Sequence, residues 1–341
     1  MRVSVYYWVM TRPVRPFTAL PWTSDLVAVL GDTMAAIGAL DARISASSVA
    51  SAWRIRASWA GYATALRLQR FEIDEIDVFS ALVGLPIPHR PPVATMGEPF
   101  ATYSGWLRSL GDRSEHHWRE ALPFSFEEPE GWSSAPTLLR ALGVLDLWSR
   151  RDATINVWLA FPALCARMGL SSSPLPSLAL GDPALRTLHG PRVAQLRRLL
   201  KTIRENCEDG LARLDRLEKW RRDFAAVIAG ELRPGQLEDL GKLALTTPAV
   251  SARGVSNRLG MTVSGAGKLL ARAAERGLFV EVSGRTSWRV YITSEAGIAL
   301  GILAAPRGRP PSPPPPSPGL DAVLCAFDRE MEAIDRLLEK G

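Results

Sequence analysis

Between Leu259 and Thr262 the chain turns on a glycine. Val255, Leu259, Ala266, Leu269, Leu270 and Ala273 recur at helical intervals, and the single break falls at Gly260. A glycine ends a helix there because it takes a left-handed backbone without a Cβ clash. Thr262 or Ser264 then supplies an oxygen to cap the next helix. Small residues (Ser256, Gly265 and Ala266) stand where two crossing helices approach closely. Beyond Gly277, Leu278–Val282 and Ser287–Ile292 read as strands around the turn Ser283-Gly284-Arg285-Thr286. Two short helices on a tight glycine turn, followed by a hairpin, form the pattern of a winged helix-turn-helix.

Charge points the same way. Residues 251–292 hold seven basic side chains (Arg253, Arg258, Lys268, Arg272, Arg276, Arg285 and Arg289) against two acidic ones, Glu275 and Glu281. That excess of five is most of the +6 carried by the whole chain. Lysine and arginine bind duplex DNA by displacing the counterions condensed on its phosphates. The expected partner is therefore double-stranded DNA, with a recognition helix at about 262–276 entering the major groove N-terminus first and a wing at about 279–292. Thr262, Val263, Ser264, Gly267 and Lys268 are the candidate contacts on that helix. Arg272 and Arg285 are placed for phosphate or minor-groove contact. The plainer alternative is a helical hairpin and β-hairpin with a solvated basic face.

A chain of 341 residues holds two or three domains, and 47% hydrophobic with 22% charged residues describes a folded soluble protein. Cys165, Cys207 and Cys325 are far apart and lie near no histidine, so no disulfide framework or zinc spacing is present. Each reads as a small buried hydrophobe in a reducing compartment. No run of 18 uncharged apolar residues appears, so no membrane span is expected, and the predicted location is cytoplasmic, at the nucleoid. The first 16 residues form a leader, with Val3, Val5, Tyr7 and Val9 alternating as in a short strand.

The fold class expected is mainly α. A multi-helix N-terminal domain covers 17–185, with helical patterns over 17–48, 49–69 and from Asp74, another carrying Phe100, Tyr103, Trp106, Leu107 and Leu110, and one or two more in 136–169. Residues 170–190 read as a loop, with a boundary near 185. A long helix, 191–230, carries a heptad seam in which Val193, Leu200, Cys207, Leu214 and Ile228 alternate with Leu196, Ile203, Leu217 and Phe224, interrupted by Gly210 and Arg221. That seam fits either a coiled coil with a second copy or packing inside its own domain. Arg197, Arg198, Lys201 and Arg204 give the same helix a basic face. The winged unit, 236–303, begins with its own helix at Gln236–Ala244. A polyproline spacer, 306–318, leads to an amphipathic helix at 320–341, whose stripe offers a second route to a homodimer.

Leu20-Pro21-Trp22, Leu40-Asp41-Ala42-Arg43, Trp53 with Arg56, Ala65-Leu66-Arg67-Leu68, and Ile73-Asp74-Glu75-Ile76-Asp77-Val78-Phe79 together resemble one group of proteins. These are rhizobial-type, often plasmid-borne helix-turn-helix proteins, whose N-terminal domain of unknown function looks distantly like the N-terminal helices of Fic-domain proteins. Where that group has a Leu-Glu-Gly-like sequence, this chain has Leu68-Gln69-Arg70. The resemblance implies DNA binding. Fic enzymes transfer nucleotidyl groups with a His-Pro-Phe…Gly-Asn-Gly-Arg loop, and none of the four histidines here (His89, His116, His117 and His189) opens such a loop.

No catalytic residue, metal site or cofactor is therefore expected. His116 and His117 are adjacent and point about 100° apart on a helix, which is unsuited to joint chelation. The leading expectation is a dimeric transcriptional or plasmid-maintenance regulator rather than an enzyme. Its rivals are a Fic-like nucleotidyl-transfer protein that has lost its catalytic loop and a winged-helix adaptor that binds protein.

Overall fold

Thr23 opens the first helix, α1 (Ser24–Ala46), by accepting the Leu26 N–H on its hydroxyl at 3.2 Å. The computed structural model describes residues 15–67, 72–84, 98–111, 116–181, 192–284 and 289–304. The leader up to Val14, the proline-rich stretch 306–318 and the C-terminal pattern 320–341 lie outside them. Described residues up to Ile302 belong to one compact unit.

α2 (Ala50–Arg67) is the central element, and it is central because most of its faces are small or apolar. Ala52, Trp53, Ala57, Trp59, Tyr62, Ala63, Ala65 and Leu66 are all buried. α3 (Glu75–Val83) packs on it, opened by the Asp77 carboxylate, which accepts the Asp74 N–H at 2.8 Å. α4 (Tyr103–Ser109) closes one side, and Trp106 donates its indole N–H to the Leu159 carbonyl at 2.7 Å. The apolar stretch 136–169 resolves into two helices, α5 (Thr137–Arg151) and α6 (Asn156–Arg167), packed on each other. Residues 170–181, expected as a loop, are irregular but belong to the core. Leu175, Pro176, Leu178, Ala179 and Leu180 are buried, and a short 3-10 turn at Pro176–Leu178 lies against α2.

The long helix, α7 (Arg192–Ala229), runs about 57 Å at 1.5 Å per residue. Its expected seam is filled from within the chain. Leu196, Leu200, Ile203, Cys207, Leu214 and Leu217 pack along α1, whose Leu26, Leu30, Ile37, Leu40 and Ile44 face them. Of the two expectations for that seam, packing inside its own chain is the one seen, and nothing in it supports a homodimer. Gly210, which interrupts the heptads, sits under Leu40 and accepts the Trp53 indole N–H at 2.8 Å on its carbonyl. The basic face of α7 is also matched internally. Arg197 pairs with Asp25, Arg204 lies 3.6 Å from Asp32, and Arg43 of α1 reaches Asp215 at 2.7 Å. Such exposed pairs contribute little each but set the alignment of two long helices. Cys165 and Cys207 are buried, and burial pushes both thiols up, Cys207 to about 12.

The last turns of α7 enter a second core. Trp220 and Phe224 pack with α8 (Leu237–Thr246), α9 (Ala252–Leu259) and α10 (Val263–Glu275). Gly241 of α8 lies so close to the Phe224 ring that a Cβ would come within 2.5 Å. Three short strands complete this part: β1 (Ala249–Ser251), β2 (Phe279–Glu281) and β3 (Val290–Thr293). They form an antiparallel sheet in the order β1-β3-β2, with Val250 opposite Tyr291 and Val280 opposite Ile292. α11 (Ser294–Ala299) follows, capped by Thr293. Among the described residues no helix is long and apolar enough to cross a membrane.

Candidate nucleic-acid interface

α9 and α10 are each capped by a hydroxyl. Ser251 accepts the Gly254 N–H at 3.2 Å, and Thr262 accepts the Gly265 N–H at 3.1 Å. Between them Gly260 is left-handed at φ 64°. Ser256 closes the turn by donating its hydroxyl to the Met261 carbonyl at 2.6 Å. That places Ser256 in the turn itself, while Gly265 sits against its own cap; of the three small residues, Ala266 is the one buried in the core.

The two faces of α10 differ in kind. Ala266, Leu269, Leu270 and Ala273 are buried against Val255, Leu240 and Phe279 in the shared core. On the other side Thr262, Val263, Ser264 and Lys268 are exposed and Gly267 is half-buried, so these five candidates are displayed together over the first turns. Val263 is 51% exposed. On α9, Arg253 and Asn257 are exposed, and Arg258 donates to the Thr247 hydroxyl.

Arg272 lies elsewhere. Its guanidinium pairs with Glu231, just beyond the end of α7, and donates to the Arg233 carbonyl at 2.9 Å. Arg276 joins the same carboxylate at 2.8 Å. These two arginines fasten α10 to the turn after α7, and so set the angle at which its exposed face is presented. Arg285 lies outside the described residues. At the turn between β2 and β3, the Glu281 carboxylate accepts the Ser283 N–H at 2.8 Å, the Ser283 hydroxyl, and the Gly284 N–H at 3.1 Å, with Gly284 left-handed at φ 60°. The Ser283 hydroxyl oxygen accepts the Val290 N–H at 3.2 Å, and Val282 N–H reaches the Val290 carbonyl at 2.9 Å, so the pairing extends past the strands proper.

No protein-family model matches the chain, and no curated protein matches it either. Among the described residues no three histidine, cysteine, aspartate or glutamate side chains converge as metal ligands. The capped end of α10 carries instead small side chains and one cation, Lys268.

Both carboxylates that brace this unit are held below the usual carboxylate range. Hydrogen bonding from Arg272 does so for Glu231, and hydrogen bonding from the Ser283 side chain does so for Glu281. A depressed folded-state pKa gives stability that is complete above the unfolded value and is withdrawn as pH falls through the folded one. The thermal midpoint of the parent is expected to drop as pH falls through and below the ordinary glutamate range, and to drop less in Glu231→Gln, which has no charge left to lose there. Equal drops in both proteins would remove Glu231 from this role.

Sequence reasoning missed one feature of the site. Arg56 of α2 is buried and reaches into this unit, with Nη1 2.9 Å from Glu295 of α11. Its Nε and Nη2 donate to the Leu245 and Ala244 carbonyls at 3.3 and 3.4 Å, at the end of α8. One guanidinium therefore ties the central helix to two elements of the candidate interface.

Proposed function

We propose that α8–α11 with the three strands is a winged helix-turn-helix, that α10 is its recognition helix, and that the chain is a double-stranded-DNA-binding regulator. The observation that carries this reading is the exposed, capped first half of α10. Thr262, Val263, Ser264, Gly267 and Lys268 stand outward while the opposite face is fully buried. A helix end of this kind presents small side chains that allow close approach to base edges, a hydroxyl donor and acceptor, and one cation for phosphate. Arg253 adds positive charge from α9. Arg272 and Arg276 support the reading indirectly, by fixing the presentation of α10 through Glu231.

Lys268→Ala tests the assignment of the face. It should weaken binding to a random-sequence duplex and lower the slope of log affinity against log salt by about one, the contribution of one phosphate contact. Arg197→Ala, on the side of α7 paired with Asp25, should leave that slope unchanged. The reverse result would move the interface from α10 to α7.

A protein-binding adaptor built on the same unit remains the second reading, favoured by the exposed Val263. It differs in outcome: an adaptor shows no salt-dependent affinity for duplex DNA.

A further inference from the structure

On the far side of α2 from Arg56 lies a cleft of about 670 Å³, bordered by the end of α1, α6 and the 172–174 segment. Its volume is in the range of pockets that hold small molecules. Arg54 of α2 and Arg167 in the last turn of α6 line it, both half-buried, together with the exposed His116. Ser45, Ser172 and Ser173 contribute hydroxyls, and no carboxylate is among its described lining residues. The nearby Asp41 is already engaged, accepting the Ser172 N–H and hydroxyl, both at 2.9 Å. Ile44 and Leu110 give one flank an apolar surface.

We propose that this cleft binds a small organic anion carrying phosphate or carboxylate groups. Two arginines from different helices line the cleft, and a guanidinium can hold an oxyanion with two parallel N–H donors. Half-burial strengthens that attraction relative to a surface arginine, because less water screens it. The Ser173 hydroxyl supplies a further donor, the Ser172 proton being given to Asp41 and the Ser45 hydroxyl lying 3.1 Å from Ser172, and the Ile44–Leu110 flank accommodates the carbon skeleton. Both arginines also interact within the chain, so the occupant shares or exchanges those contacts rather than meeting bare cations. Arg54 and Arg56 are two residues apart, and successive 100° steps put them on opposite sides of α2. A single helix thus separates this cleft from the α8–α11 unit. The site does not depend on the DNA reading, since it is tested without DNA.

The test is isothermal titration calorimetry of the full chain with pyrophosphate and, separately, citrate, at matched ionic strength so that general screening is constant. Saturable binding of at least one probe is expected, the tighter probe assigning phosphate or carboxylate as the preferred group. Arg54→Gln and Arg167→Gln should each weaken it about 10-fold or more, the loss of one charge-assisted contact. Ala163→Phe, which obstructs the cleft from α6 and keeps both guanidiniums, should weaken it too and covers the case in which an arginine variant fails to fold. Lys268→Ala should leave it unchanged. Absence of saturable binding by both probes overturns the proposal, as does parental affinity in a folded Arg54→Gln/Arg167→Gln variant, or loss of binding in Lys268→Ala.

Discussion

Glu295→Gln is expected to destabilise the folded chain by about 3 kcal/mol or more, because it leaves the Arg56 guanidinium buried without its counter-charge. Both side chains are nearly inaccessible, 3% and 9% exposed, so water cannot take over from the lost carboxylate. Burial already lowers the pKa of Arg56, and the Glu295 charge is what chiefly opposes that. The cost of the single change is the cost of an orphaned ion, not the net worth of the pair. Arg56→Met/Glu295→Leu, which removes both charges and keeps the volume, should therefore recover much of the stability lost in Glu295→Gln. Urea unfolding midpoints measure both. A Glu295→Gln protein within about 0.5 kcal/mol of the parent would show that Arg56 is not held as described.

Gly61→Ala is expected to cost about 3 kcal/mol, although alanine is the better helix former. A Cβ at residue 61 would lie 2.4 Å from the Pro176 carbonyl oxygen, with the Ala179 side chain at 3.3 Å. The obstacle is backbone, so it cannot swing aside as a side-chain tip would. α2 and the 174–181 segment must separate, and Leu175, Leu178 and Leu180 lose part of their packing with them. Gly38→Ala on the exposed side of α1, where nothing lies within 4 Å, should instead be neutral or slightly stabilising. A smaller loss for Gly61→Ala than for a surface substitution would contradict the close approach. Gly181 is in the same position against the Thr64 carbonyl, at 2.1 Å, so the contact is made twice along one edge of α2.

These two sites mark where the sequence was opaque. Helical periodicity finds α1, α2 and α7 because each repeats its apolar residues over several turns. It cannot find Gly61 or Gly181, since their neighbour is a backbone more than a hundred residues away. Arg56 is hidden for the same reason. Its partners, Ala244, Leu245 and Glu295, are all about 190 residues or more downstream, and an arginine in an alanine-rich helix that also carries Arg54 and Arg67 reads as solvated. The heptads of α7 were legible, but periodicity alone does not say which helix fills the seam. Gly210 was the clue: a glycine at a seam position fits the Leu40 side chain and the Trp53 indole better than a symmetric partner. β1 is three residues long and carries no period, so it emerges only through its pairing with β3.

In the candidate interface, Gly260, Thr262 and the buried stripe of α10 were readable, because turn chemistry is local. The role of Arg272 was not, because Glu231 lies 41 residues upstream. An arginine on the third turn of a basic helix looks the same in sequence whether it meets a phosphate or a carboxylate.

The central claim, that α10 presents a DNA-binding face, is tested most directly by fluorescence anisotropy of the full chain with a random-sequence duplex. Titrations at about 50 and 200 mM salt span the range over which phosphate-dominated binding changes most. Saturable binding at the lower salt is predicted, weakening by about 100-fold at the higher one if about four phosphates are neutralised. No binding at 50 mM, or the same affinity at both concentrations, would contradict it.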